Sequence, residues 1–196
     1  MRRAVEGVVA ALALVVLAPV LGLLALAVRL DSRGPALFRQ SRVGRGGVPF
    51  DILKLRTMRA DGVTDALVTT ADDRRVTRVG RWLRRSKLDE LPQLVNVVRG
   101  EMAFVGPRPE VADYVALWPA DLRAEILSVR PGITDPATLA FREEEELLAA
   151  QDEPEQYYRE VVLPLKVAMY CEYVRSRCVA DDVRIAARTV RSVVSR

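Results

Sequence analysis

The 196-residue chain contains no histidine. That absence excludes a Ser-His-Asp triad, a Cys-His pair and any histidine-ligated metal, so nucleophilic or acid-base work falls to carboxylates, Lys, Tyr or Cys. Cysteine is scarce as well. Cys171 and Cys178 lie seven positions apart with no C-x-x-C, which argues against a zinc site or a disulfide framework and for reduced thiols in the cytosol. There is no internal repeat, no Walker loop and no G-x-G-x-x-G fingerprint. What is abundant is charge: 29% of residues are charged while half are apolar, too much charge for a multi-span membrane protein and too many apolar residues for disorder. The length suits one catalytic domain with a short membrane segment. A net charge of +4 suits anionic partners without separating lipid headgroups from nucleotide phosphates or nucleic acid.

From Val8 to Val28 no residue is charged. As a helix this run would be roughly 32 Å long, enough to cross a bilayer's hydrocarbon core. Arg2 and Arg3 followed by Ala25-Leu26-Ala27 imitate a cleaved signal peptide, but the run is long for one. Pro19, near its middle, removes a backbone hydrogen bond and favours a kink. Arg2 and Arg3 stand before the run, Arg29 and Arg33 after it, so the positive-inside tendency is met if both ends stay in the cytoplasm. On these grounds a kinked full span and a re-entrant hairpin are equally open.

Beyond a polar turn at Asp31 to Pro35, residues Ala36 to Arg59 read as short extended pieces interrupted by Gly44, Gly46 and Gly47. Asp61 to Asp73 has no period and reads as a surface loop. Arg78 to Lys87 reads as an amphipathic helix with Val79, Trp82 and Leu83 on one face and Arg81, Arg84 and Arg85 available to phosphate or headgroups. The acidic run Glu143 to Glu146 reads as a solvated helix face, and helical structure is expected around Pro164. Val183, Ala186 or Ala187, Val190 and Val194 give the last segment an apolar face beside Arg184, Arg188 and Arg191, suited either to a membrane surface or to a core.

The densest segment is Ser86-Lys-Leu-Asp-Glu-Leu-Pro-Gln-Leu-Val-Asn-Val-Val-Arg-Gly100. Pro92 suits the first position of a helix running through Val98, with Gly100 as its stop. Asp89 and Glu90 then stand at its amino end, where free N–H groups favour anions. Ser86-x-x-Asp89 also resembles a capping box, in which case the aspartate is merely structural. In Gly106-Pro-Arg-Pro109, two prolines clamp Arg108 and present its guanidinium rigidly, as bidentate phosphate contact requires.

Lys54-Leu-Arg-Thr-Met58, Leu88-Asp-Glu-Leu-Pro-Gln-Leu94, Gly106-Pro-Arg-Pro109 and Arg130-Pro-Gly-Ile-Thr134, in this order, resemble the monotopic bacterial sugar transferases, small polyprenyl-phosphate phosphoglycosyl transferases. The resemblance covers nearly the whole chain. It implies an α/β fold, mostly helical, with a re-entrant membrane helix over 1–30 and a catalytic domain over 31–196 carrying interfacial amphipathic helices. It implies transfer of a sugar 1-phosphate from a UDP-sugar to polyprenyl (undecaprenyl) phosphate at the cytoplasmic face of the inner membrane, initiating glycoconjugate assembly. Asp89 matches the nucleophile that forms a covalent phosphosugar intermediate, and Glu90 works beside it with Mg2+ held at the dyad. Arg84, Arg108 and Arg142 match basic positions assigned to phosphate, with Lys54 and Arg56 as further candidates. The partners so implied are the donor, the lipid acceptor and the bilayer, with no nucleic acid; homo-oligomerisation stays open.

Two features depart from the family pattern. Ala18-Pro19 replaces a Ser-Pro pair at the helix break, so the kink rests on proline and packing. Asp135-Pro136 follows the Pro-Gly-Ile-Thr segment where glycine is usual, which implies a different sugar-side or acceptor-side loop. The resemblance also implies the minimal catalytic form, without the multi-span amino-terminal region of larger relatives. The competing reading is a membrane-anchored binding or scaffold protein for anionic lipid or nucleic acid, without turnover.

Overall fold

The computed structural model of the chain describes residues 2–59 and 68–194, so much of the Asp61–Asp73 loop lies outside the described residues, as does the side chain of Val194. The first element is one long helix, α1 (Arg2–Asp31), with Pro19 inside it. It is long and apolar enough to cross a membrane by length and composition, and only 11% of its most apolar window is buried, unlike the core helix of a soluble protein. Its exposed face is a stripe at helical spacing that includes Val8, Leu12, Val15, Val16, Leu23 and Leu26.

The opposite face of α1 lies along the rest of the molecule. Ala10 packs with Ile52, Leu94, Val97 and Met102, while Leu24 and Val28 pack with Leu55 and Leu83. Polar contacts fasten both ends. Near the amino end Arg2 pairs with Asp182 and Glu6 with Arg130; at the carboxyl end Asp31 accepts from Val79 N–H at 3.0 Å.

The Ala36–Arg59 stretch forms an antiparallel hairpin, β1 (Leu37–Val43) with β2 (Pro49–Leu55), in which Phe38 faces Lys54 and Gln40 faces Ile52. Gly46 and Gly47 take positive φ in its turn, the conformation that glycine supplies without strain. Helix α2 (Arg78–Ser86) starts at Thr77, whose hydroxyl accepts from Gly80 N–H. A Cβ on Gly80 would lie 2.0 Å from the Thr57 carbonyl oxygen, so this glycine is what lets α2 approach the strand's extension. Leu83 is buried as the apolar face requires, but Trp82 is exposed.

A 3₁₀ turn (Leu88–Glu90) leads to α3 (Gln93–Arg99), which begins after Pro92 and ends at Gly100 with φ +77°, within a residue of the bounds that proline and glycine imply. Asn96 on α3 is buried and satisfied: it accepts from Leu53 N–H at 3.1 Å and donates to the Asp51 carbonyl and to Glu101, both at 2.7 Å. One side chain thereby fixes α3 against β2.

Strands β3 (Ala103–Val105) and β4 (Gly132–Thr134) pair in parallel, with helices α4 (Ala112–Ala116) and α5 (Ala120–Ile126) between them. Gly106 and Gly132 sit back to back, since a Cβ on Gly132 would fall 2.1 Å from Gly106 N. The glycines of the third and fourth motifs therefore belong to one close backbone crossing. Short helices α6 (Pro136–Ala140), α7 (Glu144–Ala149) and α8 (Pro154–Tyr157) follow. Asp135 is buried and caps α6 through Thr138, which accounts for an acidic residue and a proline at that place.

From α8 the chain continues through a π turn (Tyr158–Val162) into α9 (Leu163–Ser176). Pro164 cannot donate to the carbonyl of Glu160 and its ring crowds that group, so a widened turn ahead of it is the expected accommodation. Cys171 is buried and Cys178 exposed, both as free thiols. The last helix, α10 (Val179–Val194), turns Asp182 inward and leaves Val179, Val183 and Val190 exposed. The architecture is thus α/β and mostly helical, with two two-stranded sheets among the described residues.

Candidate active site

The seven side chains singled out in the sequence line one open cavity of about 1620 Å³, bounded among others by β1, β2, α2, the dyad turn, α6, α7, α9 and α10. This exceeds the roughly 300–1,000 Å³ usual for one small-molecule site. Two substrates can meet in such a space.

Asp89 and Glu90 sit on the 3₁₀ turn between α2 and α3, reached through Lys87 in the left-handed conformation at φ +55°. Ser86 does not cap this turn; its hydroxyl donates to the carbonyls of Trp82 and Leu83. The capping-box explanation of Asp89 is therefore not the one the fold uses. Asp89 is 7% exposed and its Oδ1 is buried without a hydrogen-bond partner. Such an atom is costly in a folded protein and calls for a ligand or a chemical role.

Glu90 is in the opposite situation. Its Oε1 accepts from Lys54 Nζ at 2.9 Å and from Arg108, and Arg108 Nη1 approaches Oε2 at 3.4 Å. Burial alone would push the Glu90 carboxyl up, but the Arg108 guanidinium and the Lys54 ammonium hold it well below the usual carboxylate range. Glu90 in turn raises Arg108, while burial lowers Lys54 against the pull of Glu90. For Asp89 burial dominates and pushes its carboxyl up, opposed by Lys54 and reinforced by the charge of Glu90. Two adjacent carboxylates thus have separated proton affinities, a pattern found where they carry separate roles.

The Pro-Arg-Pro clamp is held from outside the motif. Arg42 on β1 donates to the Pro109 carbonyl at 3.3 Å and to Glu110 at 3.2 Å, and Tyr158 donates to Glu110 at 3.1 Å. Arg84 and Arg142 also line the cavity, and each holds a resident acceptor: Glu145 for Arg84, the Ser192 carbonyl for Arg142. Arg56 is fixed differently, since its guanidinium donates to the Ser32 carbonyl at 2.7 Å and to that of Arg33, closing the carboxyl end of α1. Its contacts are those of a structural clamp.

Several site residues carried no motif signal. Lys166 is buried, pairs with Glu144 and lies 4.9 Å from the ring centroid of Tyr158. Its place three after Leu163 and four before Tyr170, on the inward face of α9, was the available clue. Glu144 and Glu145 belong to the acidic run read as a solvated face, yet both pair with cavity-lining cations. Gln93 belongs to the dyad motif and does not line the cavity, but one turn after Asp89 it is fully buried with both amide atoms unpartnered.

The donor set also bears on Mg2+. Among the described residues no group of three or more Asp, Glu, Cys or His forms a ready cage. Mg2+ ordinarily uses one or two carboxylates with substrate phosphates and water, so Asp89 with its bare Oδ1 beside an ionised Glu90 fits that ion in type and number.

A carboxylate dyad with one bare oxygen shares its cavity with several arginines beside a largely exposed apolar helix, an arrangement that suits phosphoryl transfer. The chain belongs to the bacterial sugar transferase family, which it matches over residues 1–196. It is 42% identical to a UDP-glucose:undecaprenyl-phosphate glucose-1-phosphate transferase of Caulobacter vibrioides over 99% of this chain and 70% of that protein. It is 40% identical to an undecaprenyl-phosphate glucose phosphotransferase of Komagataeibacter xylinus over its full length, and 38% identical over 97% of it to a UDP-glucose:undecaprenyl-phosphate glucose-1-phosphate transferase of Escherichia coli K12. It spans 36% and 39% of the length of those two relatives.

Proposed function

We propose that this chain transfers a sugar 1-phosphate from a UDP-sugar, UDP-glucose first among the candidates, to polyprenyl (undecaprenyl) phosphate and so initiates assembly of a bacterial glycoconjugate. The observation that carries this reading is the bare, buried Oδ1 of Asp89 beside a Glu90 that Lys54 and Arg108 keep ionised. The names of the similar proteins supply the substrate class.

In the first step Asp89 attacks the sugar-linked phosphorus of the donor. The bond from that phosphorus to the bridging oxygen breaks, UMP leaves with the electron pair, and the phosphosugar stays on the carboxylate. In the second, an oxygen of polyprenyl phosphate attacks the same phosphorus and the Asp89 carboxylate departs, giving polyprenyl-diphosphate sugar. Both nucleophiles are anions, so neither step needs a general base, and a chain without histidine is equal to the task. The difficulty is charge repulsion, and Arg84 and Arg108 are placed to offset it. Mg2+ held by Asp89 and Glu90 with the donor diphosphate would supply further positive charge at the same point.

The reading includes a membrane placement. A full span would carry one end of α1 roughly 30 Å away from the domain. Contacts to Asp182 and Arg130 at one end, and to Val79 at the other, favour instead a helix that enters and leaves by the cytoplasmic face of the inner membrane, with α10 at the interface.

The test is purified protein with Mg2+, UDP-glucose and undecaprenyl phosphate. UMP release is expected, together with an adduct on residue 89 when donor is supplied alone. Product formed without any adduct would overturn the two-step route.

A further inference from the structure

Of the acidic run that follows Arg142, Glu143 and Glu146 are exposed while Glu144 and Glu145 pair with cations of the cavity. Arg84 donates to Glu145 Oε1 through Nε at 3.0 Å and also through Nη2, while its Nη1 lies 3.4 Å from the Thr57 hydroxyl. The guanidinium edge best suited to a phosphate is therefore already closed by a carboxylate from α7. Arg84 and Asp89 line the same cavity, so an anion held by Arg84 shares that space with the nucleophile.

Among the carboxylates that pair with cations of this cavity, Glu90 and Glu145 are not equally exchangeable. The Glu90 side chain is 12% exposed and is shared between Arg108 and Lys54, so freeing it would strand a buried charge. The Glu145 side chain is 39% exposed and pairs with Arg84, itself 21% exposed, so Glu145 can turn into water at little cost.

Resting on the proposed donor chemistry, we infer that Glu145 is a resident counter-anion of Arg84, displaced when the diphosphate of a nucleoside-diphosphate donor binds, and that it thereby sets the affinity for that donor. Glu145 keeps Arg84 ordered and neutralised in the empty site and competes directly with the incoming diphosphate. It touches no reacting atom, so it acts on binding and leaves the chemical step alone.

The experiment compares Glu145→Gln with wild type in two readouts: UDP binding to the solubilised full chain by calorimetry, and KM and kcat for UMP release from UDP-glucose. Glu145→Gln is expected to tighten UDP binding and lower KM by about two- to tenfold, with kcat within twofold. Glu145→Asp, which keeps the charge, is expected to behave as wild type, as is Glu146→Gln, whose residue is exposed. In an Arg84→Gln background the effect of Glu145→Gln is expected to vanish, because the two residues act through one contact. Unchanged or weaker UDP binding in Glu145→Gln, or a gain that persists without Arg84, would overturn the inference. Wild-type protein that binds UDP but releases no UMP would instead count against the transferase reading, and the binding comparison would still decide the role of Glu145.

Discussion

Asp89 and Glu90 are consecutive residues on one 3₁₀ turn, yet burial raises the proton affinity of the first while Arg108 and Lys54 depress that of the second. The separation comes from partners and not from depth, since both side chains are inside. Glu90 receives donors from β2 and from the proline clamp; Asp89 keeps one oxygen without any. An ionised carboxylate oxygen that accepts no hydrogen bond is reactive because no donor holds its lone pairs.

Asp89→Asn is therefore expected to abolish UMP release and, at the same time, to stabilise the protein at neutral pH. A carboxyl whose folded-state value is raised binds its proton more tightly folded than unfolded. Its contribution to stability falls as pH rises from the unfolded value through the folded one, and the deficit persists above that. The neutral amide removes the deficit. A gain of about 1 kcal/mol corresponds to roughly 2–4 °C in Tm for a chain of this size. Thermal melts of both proteins at pH 7 check this; an equal or lower Tm for the variant would mean that the Asp89 carboxylate is better solvated than its burial implies.

The acid limb of kcat/KM is expected to follow one proton and to lie above the ordinary aspartate value, because Asp89 must be ionised and Glu90 already is. Arg108→Gln removes the charge that holds Glu90 down, so Glu90 enters the titration and the limb steepens toward two protons. The same change costs stability above the usual carboxylate range, where a depressed Glu90 contributes most. A fall in kcat of about 10²-fold is expected from loss of one charged donor. A pH-rate profile of the variant with an unaltered one-proton limb would show that Arg108 does not govern Glu90.

Asn96→Leu is expected to unfasten α3 from β2 and so loosen Lys54 against the dyad. The substitution leaves Leu53 N–H and the Asp51 carbonyl without their side-chain partner. Each buried group left unpaired costs about 1–3 kcal/mol. Denaturant unfolding should show a loss of about 2–6 kcal/mol by that count, and a smaller loss would indicate that water reaches the site.

Local chemistry carried far in the sequence where the signal was itself local. Pro92 and Gly100 bound α3 because one fixes φ at its start and the other takes the left-handed value at its end. The clamp at Arg108 and the hairpin turn were legible for the same reason. Contacts between distant elements were not: that Gly106 and Gly132 meet across one backbone crossing depends on β3 pairing with β4, twenty-nine residues on by register. Arg56 sits beside Lys54 in a motif and lines the cavity, and its contacts with the carboxyl end of α1 became visible only once that helix was placed. The acidic run misled for a related reason, since four glutamates in a row say nothing about which of them meet Arg84 and Lys166.

The arrangement of α1 yields a prediction about topology. Ala18 stands where a serine hydroxyl would aid a kink at Pro19, and α1 runs as one continuous helix from Arg2 to Asp31 whose placement rests on contacts elsewhere. They do so at both ends: Arg2 to Asp182 and Glu6 to Arg130 on one side, Asp31 to Val79 and Arg56 to the Ser32 carbonyl on the other. Asp182 also accepts from Tyr173 at 2.6 Å, and Arg130 donates to the Met102 carbonyl at 2.9 Å, so the amino-end anchors are themselves rooted in the domain. Single cysteines at Arg2 and at Arg33, in a chain with Cys171 and Cys178 replaced by serine, are expected to resist a membrane-impermeant maleimide in intact cells and to react after lysis. Glu6→Lys with Asp182→Lys removes both amino-end ion pairs and adds repulsion against Arg130 and Arg2, so solubilised protein should lose several degrees of Tm. Labelling of the Arg2 position alone in intact cells would establish a full span and remove the re-entrant reading, because a residue on the far side of the bilayer cannot pair with Asp182.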